Sequence, residues 1–186
     1  KTRKSNRYLK RIQYANKTPR KADEDLSKRK DWLLETVFDY DEIHYENVPL
    51  NQAVPATDQH EFVLASIAPG RTWSVRPDPF SIYRAGFEVR TYRRCRRVLM
   101  FHKFQELGKE PYLVKATEFE YADLDYTKPY IVENELSHKG STRTASFIRS
   151  VRQSGYEADS TPVVTQKNNL NYVTYLKKSP PEVEFD

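Results

Sequence analysis

The chain has one cysteine, Cys95, and five glycines among 186 residues. A single cysteine excludes an intrachain disulfide and any zinc site built on several thiolates. Five scattered glycines leave no glycine-rich loop that could cradle a phosphate. No run of about 18 apolar residues is present, so no helical membrane span is expected, and the opening KTRKSNRYLK lacks the apolar centre of a signal peptide. The four histidines, His44, His60, His102 and His138, show no spacing that would set two of them on one face. Neither a metal nor a cofactor is expected. The chain begins without Met, which suggests a piece of a longer protein.

Aliphatic residues are also scarce. Leu, Ile, Val and Phe total 42 of 186 residues, just above the range of about a fifth in which charged chains fail to fold. Thirteen Tyr and nine Phe supply much of the remaining apolar area, which suits half-buried β-surfaces better than a helical core. One domain of ordinary size is expected, reading as a basic strand and loop over 1–31 followed by a β-rich body over 32–186.

The net charge of +5 divides unevenly along the chain. Residues 1–31 carry twelve Lys and Arg against four acids, whereas residues 32–186 carry nineteen against twenty-two. The basic excess is therefore local.

Period-two alternation predicts a mainly antiparallel β fold. In RYLKRIQY, Tyr8, Ile12 and Tyr14 share one face, opposite Leu9 and Arg11. DWLLETVFDY puts Trp32, Leu34, Phe38 and Tyr40 inward and Glu35 and Asp39 outward. YLVKATEFEY sets Leu113, Phe119 and Tyr121 against Glu118 and Glu120. Further strands are expected at 146–156, 171–178 and 183–185, with long polar connectors at about 15–31, 41–76, 122–145 and 157–169. One helix of two turns is predicted after Asp78 and Pro79, a cap and first-turn pair, ending at Gly86. The buried set should include Trp32, Phe38, Phe87, Val89, Leu99, Phe101, Phe119 and Phe147.

Candidate chemistry is thin. Three Glu-x-Glu pairs occur, Glu118/Glu120, Glu133/Glu135 and Glu182/Glu184, a pattern that arginine-modifying ADP-ribosyltransferases use. The accompanying Ser-Thr-Ser strand is missing, since Ser141-Thr142-Arg143 follows the first two pairs and has the wrong third residue. Alternation alone generates such pairs on a solvent-facing edge. Flanking arginines could lower the pKa of Cys95 and make it reactive, although a small packed side chain explains it as well. No catalytic residue is assigned.

Five of the eight residues from Arg90 to Arg97 are arginine: Arg90, Arg93, Arg94, Arg96 and Arg97. They would form either a polyanion- or nucleic-acid-binding strand, acting together with the basic N-terminus from Lys1 to Arg29, or a scaffold strand paired to carboxylates on its neighbours. The adjacent strand candidates bring Glu35, Asp39, Glu118 and Glu120, which favours the scaffold. Arg90, Arg94 and Arg96 share one parity if no bulge intervenes, and carboxylates are expected there.

The segments SNRYLKRIQYANKTP, DWLLETVFDYDE, RPDPFSIYRAGFEVRTYRRCRRVLMFHKF, YLVKATEFEY, SFIRSVRQSGY and YLKKSPPEVEF stand in the order typical of the C-terminal half of the SpvB-type domain. The chain resembles that domain of insecticidal toxin complex B components and related Salmonella virulence proteins, most specifically over residues 78–104. It departs where the family commonly has Gly after FDY, here Asp41-Glu42, and a second His, here Lys103. The resemblance implies a mainly β segment of long curved antiparallel strands in a shell that encloses a toxic cargo, with any transferase in a separate domain. It implies as partners the propeller and Rhs repeats of the B component, the C component and its cargo, and secretion, or a cytoplasmic stage before release. An isolated segment with unpaired edges would self-associate.

Overall fold

A computed structural model describes residues 7–49, 60–125, 130–132, 135–137, 144–158 and 163–185. Its centre is a ten-stranded antiparallel sheet. The strands are β1 (Arg11–Asn16), β2 (Trp32–Asp39), β3 (Tyr45–Asn47), β4 (Phe62–Ala65), β5 (Phe80–Ile82), β6 (Val89–Thr91), β7 (Arg97–His102), β8 (Tyr112–Asp125), β9 (Tyr130–Val132), β10 (Glu135–Ser137), β11 (Thr144–Glu157), β12 (Val164–Lys167), β13 (Leu170–Lys178) and β14 (Val183–Glu184). The large sheet runs β1-β2-β7-β8-β11-β13-β4-β3, with β12 beside β13 and β14 beside β11. β5 with β6, and β9 with β10, form two separate pairs.

The sheet curls until its ends meet. Arg11 on β1 donates from Nη2 to the carbonyl of Ile67, just past β4, at 2.7 Å. The guanidinium of Arg97 on β7 lies 4.6 Å from the Tyr45 ring centre on β3, at the far end of the strand order. Two bulges assist this curvature, because an extra residue bends its strand and increases the local twist. Val114 is the extra residue in β8 between the pairs Phe101/Leu113 and Met100/Lys115. Arg149 is the extra residue in β11 between the pairs Ile148/Tyr121 and Ser150/Glu120.

The core inside the curl holds Val37, Tyr45, Val63, Ala65, Leu99, Phe101, Leu113, Ala116, Tyr156, Val173 and Tyr175. Burying a Leu, Val or Phe side chain contributes about 1.5–3 kcal/mol, so Leu99, Phe101, Leu113 and Val63, all fully buried, anchor the interior. Tyrosines fill the rest. Tyr45, Tyr156, Tyr175 and Tyr112 meet edge to face in series, with ring centres 5.9, 6.2 and 5.2 Å apart. Their hydroxyls find partners as buried hydroxyls must: Tyr156 donates to Tyr45 at 3.2 Å, and Tyr175 accepts from the Leu113 amide at 2.9 Å.

Several sequence expectations change. On β2 the inner face carries Glu35, Val37 and Asp39, all buried, while Trp32, Leu34 and Phe38 are only half-buried. The apolar count misleads there because the interior is rich in ion pairs. Leu99 and Phe101 are buried as expected. Val89 and Phe119 are half-buried, and Phe87 and Phe147 are exposed. The Val114 bulge breaks the parity between Leu113 and Phe119, so Leu113, Ala116 and Glu118 face inward together.

No α-helix forms among the described residues, and the helix expected after Pro79 is replaced by the β5–β6 hairpin. Asp78 cannot serve as its cap, since its carboxylate is held by Arg76 and Ser146. Gly86 adopts φ +78° in the turn of that hairpin, with its amide donating to the Tyr83 carbonyl at 3.0 Å. The connectors at 41–76 and 122–145 also hold strands, β3 and β4 in the first and β9 and β10 in the second.

Candidate functional site

The arginine segment does not run as one strand. β6 ends at Thr91 and β7 begins at Arg97, with residues 92–96 irregular between them. Shared parity is thereby lost, and the arginines point to different partners. Arg90 donates to the Ser81 hydroxyl at 3.2 Å and lies 5.5 Å from the Tyr92 ring centre. Arg93 sits 4.0 Å from the Trp73 ring centre and 4.9 Å from that of Tyr8. Arg94 donates to the Ser146 hydroxyl and lies over Tyr121, the ring that Arg96 also approaches. Arg97 faces Asp39 Oδ2 at 3.5 Å and Glu118 Oε2 at 3.3 Å.

Arg97 lines a polar cleft of about 540 Å³ together with Arg96, Arg152, Glu118, Glu120 and Glu182. Several of its charges are paired. Lys177 Nζ is 2.9 Å from Glu118 Oε1, and Arg152 is 3.2 Å from Glu182. Ser150 donates toward Glu120 at 3.1 Å and Glu182 at 2.7 Å. Burial would raise the pKa of Glu118, but Lys177 and Arg97 outweigh it and hold the carboxyl below its ordinary value. Glu118 thus acts as an ion-pairing residue, while Glu120 accepts from the Ser150 hydroxyl. Glu182 accepts from Ser150 and Arg152. Glu133 and Ser141-Thr142-Arg143 lie outside the described residues, as does His138.

Two further polar clusters close the curl. Glu35, fully buried, accepts from Arg11, from Gln13 at 3.0 Å and from Lys103 at 2.5 Å. Lys103, which stands where the family commonly has a second His, therefore neutralises an interior carboxylate. In the second cluster, Asp39, Glu42 and His44 bring two carboxylates and an imidazole within 4.8 Å of one another. The Lys10 ammonium stands among them, bonding to Glu42 and lying 2.8 Å from His44 Nε2, while Arg97 faces Asp39. These residues escaped the sequence reading. The only signal was Asp39, Glu42 and His44 standing within six residues, which remote Lys10 completes.

Cys95 is half-buried and donates weakly to the Arg97 carbonyl at 3.3 Å. Burial pushes its pKa up to about 11, so the flanking arginines do not activate it. Asp78 binds the hairpin to the main sheet, accepting from Arg76 at 2.9 Å and from the Ser146 amide and hydroxyl at 2.8 and 2.7 Å. Burial opposes ionisation of Asp78, yet these donors hold its pKa far below the carboxylate range. Pro79 leads directly into β5.

Comparison with known proteins agrees with the mainly β fold. Residues 1–104 match the family model "SpvB: Salmonella virulence plasmid 65kDa B protein". The chain is 36% identical over 143 residues, 74% of its length, to "Mono(ADP-ribosyl)transferase SpvB" of Salmonella typhimurium and to the protein of that name in Salmonella choleraesuis. It spans 22% of the length of these relatives. The solved N-terminal domain of effector protein SpvB from Salmonella typhimurium strain LT2 aligns with a TM-score of 0.50 and 33% identity, covering 81% of this chain and 38% of that one.

Proposed function

Because the chain belongs to the SpvB family, we propose that it is a non-enzymatic wall segment of a secreted bacterial toxin, part of a shell that encloses and delivers a cytotoxic cargo. The observation that carries this reading is the fate of the charged side chains on the inner wall. Arg97, Lys177, Glu118 and Asp39 neutralise one another, and Glu35 is saturated by Arg11, Gln13 and Lys103. Such networks fix the curvature of a sheet. Their carboxylates are taken up by lysine, arginine, glutamine and serine donors.

On this reading a propeller and Rhs repeats continue the wall, as in toxin-complex B components, and a C component supplies the cargo. Any ADP-ribosyl transfer belongs, on this account, to a different part of the parent protein. Polyanion binding is the weaker reading, since the arginines of 90–97 diverge toward Ser81, Trp73, Ser146 and Glu118 instead of forming one basic face. Among the described residues the outer edges of β1 and β3 pair with no further strand, which makes self-association of the isolated chain an expected behaviour.

Co-expression of this chain with separately encoded flanking parts of its parent tests the proposal. Co-elution as one complex is the expected result. Independent elution, or transfer of label from NAD to any protein by the chain alone, would overturn it.

A further inference from the structure

We propose that Lys10, Glu42 and His44 form a proton-sensitive clasp that joins the two ends of the curled sheet and releases the N-terminal strand on acidification. The cluster lies where the ends meet. Lys10 immediately precedes β1, and His44 immediately precedes β3 at the other end of the strand order. Beside it, Arg11 makes the second tie between the ends through the Ile67 carbonyl.

The hydrogen-bond pattern fixes the protonation state. An ammonium carries donors only, so the Lys10 Nζ contact at 2.8 Å requires a lone pair on His44 Nε2. The ring proton then resides on Nδ1, which donates to the Ser66 carbonyl at 3.1 Å. Both nitrogens of the neutral ring are thereby used. Adding a proton to Nε2 turns the Lys10 contact into two donors and two positive charges face to face. His44 is fully buried and cannot leave, whereas the Lys10 side chain is 28% exposed and opens to water.

The surrounding charges set the direction of the response. Glu42 bonds to Lys10 and could accept from an imidazolium in its place. Asp39 on β2 gives Oδ1 to the Glu42 amide at 2.8 Å and turns Oδ2 toward Arg97 of β7. Cys95 sits near Asp39 and Lys10 with its thiol protonated. The Tyr172 hydroxyl of β13 donates to the Ile43 carbonyl at 2.9 Å. Burial first, and then Lys10, hold the ring below its ordinary value of 6.5, while Asp39 and Glu42 oppose them only in part. The unfolded or released state therefore binds the extra proton more readily. Clasp stability is constant above pH 6.5 and falls as the pH drops below it.

Hydrogen exchange of the amides at residues 8–16 tests the clasp, measured from pH 7.5 to 5.5 and corrected for intrinsic exchange. Protection should fall once the pH passes below 6.5, by up to about tenfold per pH unit, the limit for one proton. His44→Gln, which keeps an acceptor for Lys10 but does not titrate, should remove this dependence. Lys10→Gln should weaken it, because burial of the ring remains, with lower protection already at pH 7.5, and it serves if His44→Gln does not fold. Constant protection in the unaltered chain, or an undiminished pH dependence in both variants, would overturn the proposal.

Discussion

The ammonium of Lys177 on β13 lies 2.9 Å from Oε1 of Glu118 on β8, with the lysine side chain only 4% exposed. Removing the carboxylate would leave Lys177 buried and facing the half-exposed Glu61 at 3.5 Å. Glu118→Ala should therefore cost about 3–5 kcal/mol, measured by urea unfolding. Because the folded pKa of Glu118 is depressed, its contribution is present at neutral pH and is lost as the pH falls below the ordinary value of 4.5 and through the folded value. The wild-type chain should lose stability through that acid range, and Glu118→Ala should lose less.

Arg93 is packed between Trp73 and Tyr8, which ties the segment before β1 to the loop before β5. Arg93→Ala should destabilise by about 1–2 kcal/mol, the value of a desolvated cation over aromatic rings. Lysine should restore only part of it, because a guanidinium stacks where an ammonium does not. Trp73 fluorescence, compared with a Trp32→Phe background, checks the environment directly.

A Cβ on Gly70 would stand 2.5 Å from the Tyr172 hydroxyl. That hydroxyl cannot swing away, since it belongs to a fully buried ring and is bonded to the Ile43 carbonyl. Gly70→Ala should cost about 1–3 kcal/mol by overpacking. Adding Tyr172→Phe should recover part of the loss in thermal unfolding.

Asp41 adopts φ +68°, the left-handed region that favours glycine, Asn and Asp. Its pair with Arg71 is exposed and contributes little. Asp41→Gly should therefore leave the midpoint of urea unfolding unchanged or raised. Asp41→Val should lower stability by about 1–3 kcal/mol, the cost of a branched side chain in that region.

The β class, the strands β2, β7, β8, β11 and β13, and the family were legible in the sequence, because alternation and turn residues record strands locally. The facing of β2 was not. ETVFD alternates equally well with Glu35, Val37 and Asp39 inside or with Thr36 and Phe38 inside, and only the cations on β1 and β7 decide between them. Short strands such as β3 and β4 carry too few residues to show a period, although Val63 and Tyr45 belong to the core. The arginine segment stood out by composition, but its irregular course at residues 92–96 depends on rings supplied by Tyr8, Trp73 and Tyr121. The Lys10 cluster joins residues more than thirty positions apart, beyond the reach of any local pattern.

Protease protection of the cargo in the intact parent toxin tests the proposed wall role most directly, comparing the unaltered protein with Glu118→Ala. If this chain is part of the enclosing wall, the cargo should resist digestion in the first and be cut rapidly in the second. Equal protection in both, with this segment demonstrably unfolded by the substitution, would contradict the account.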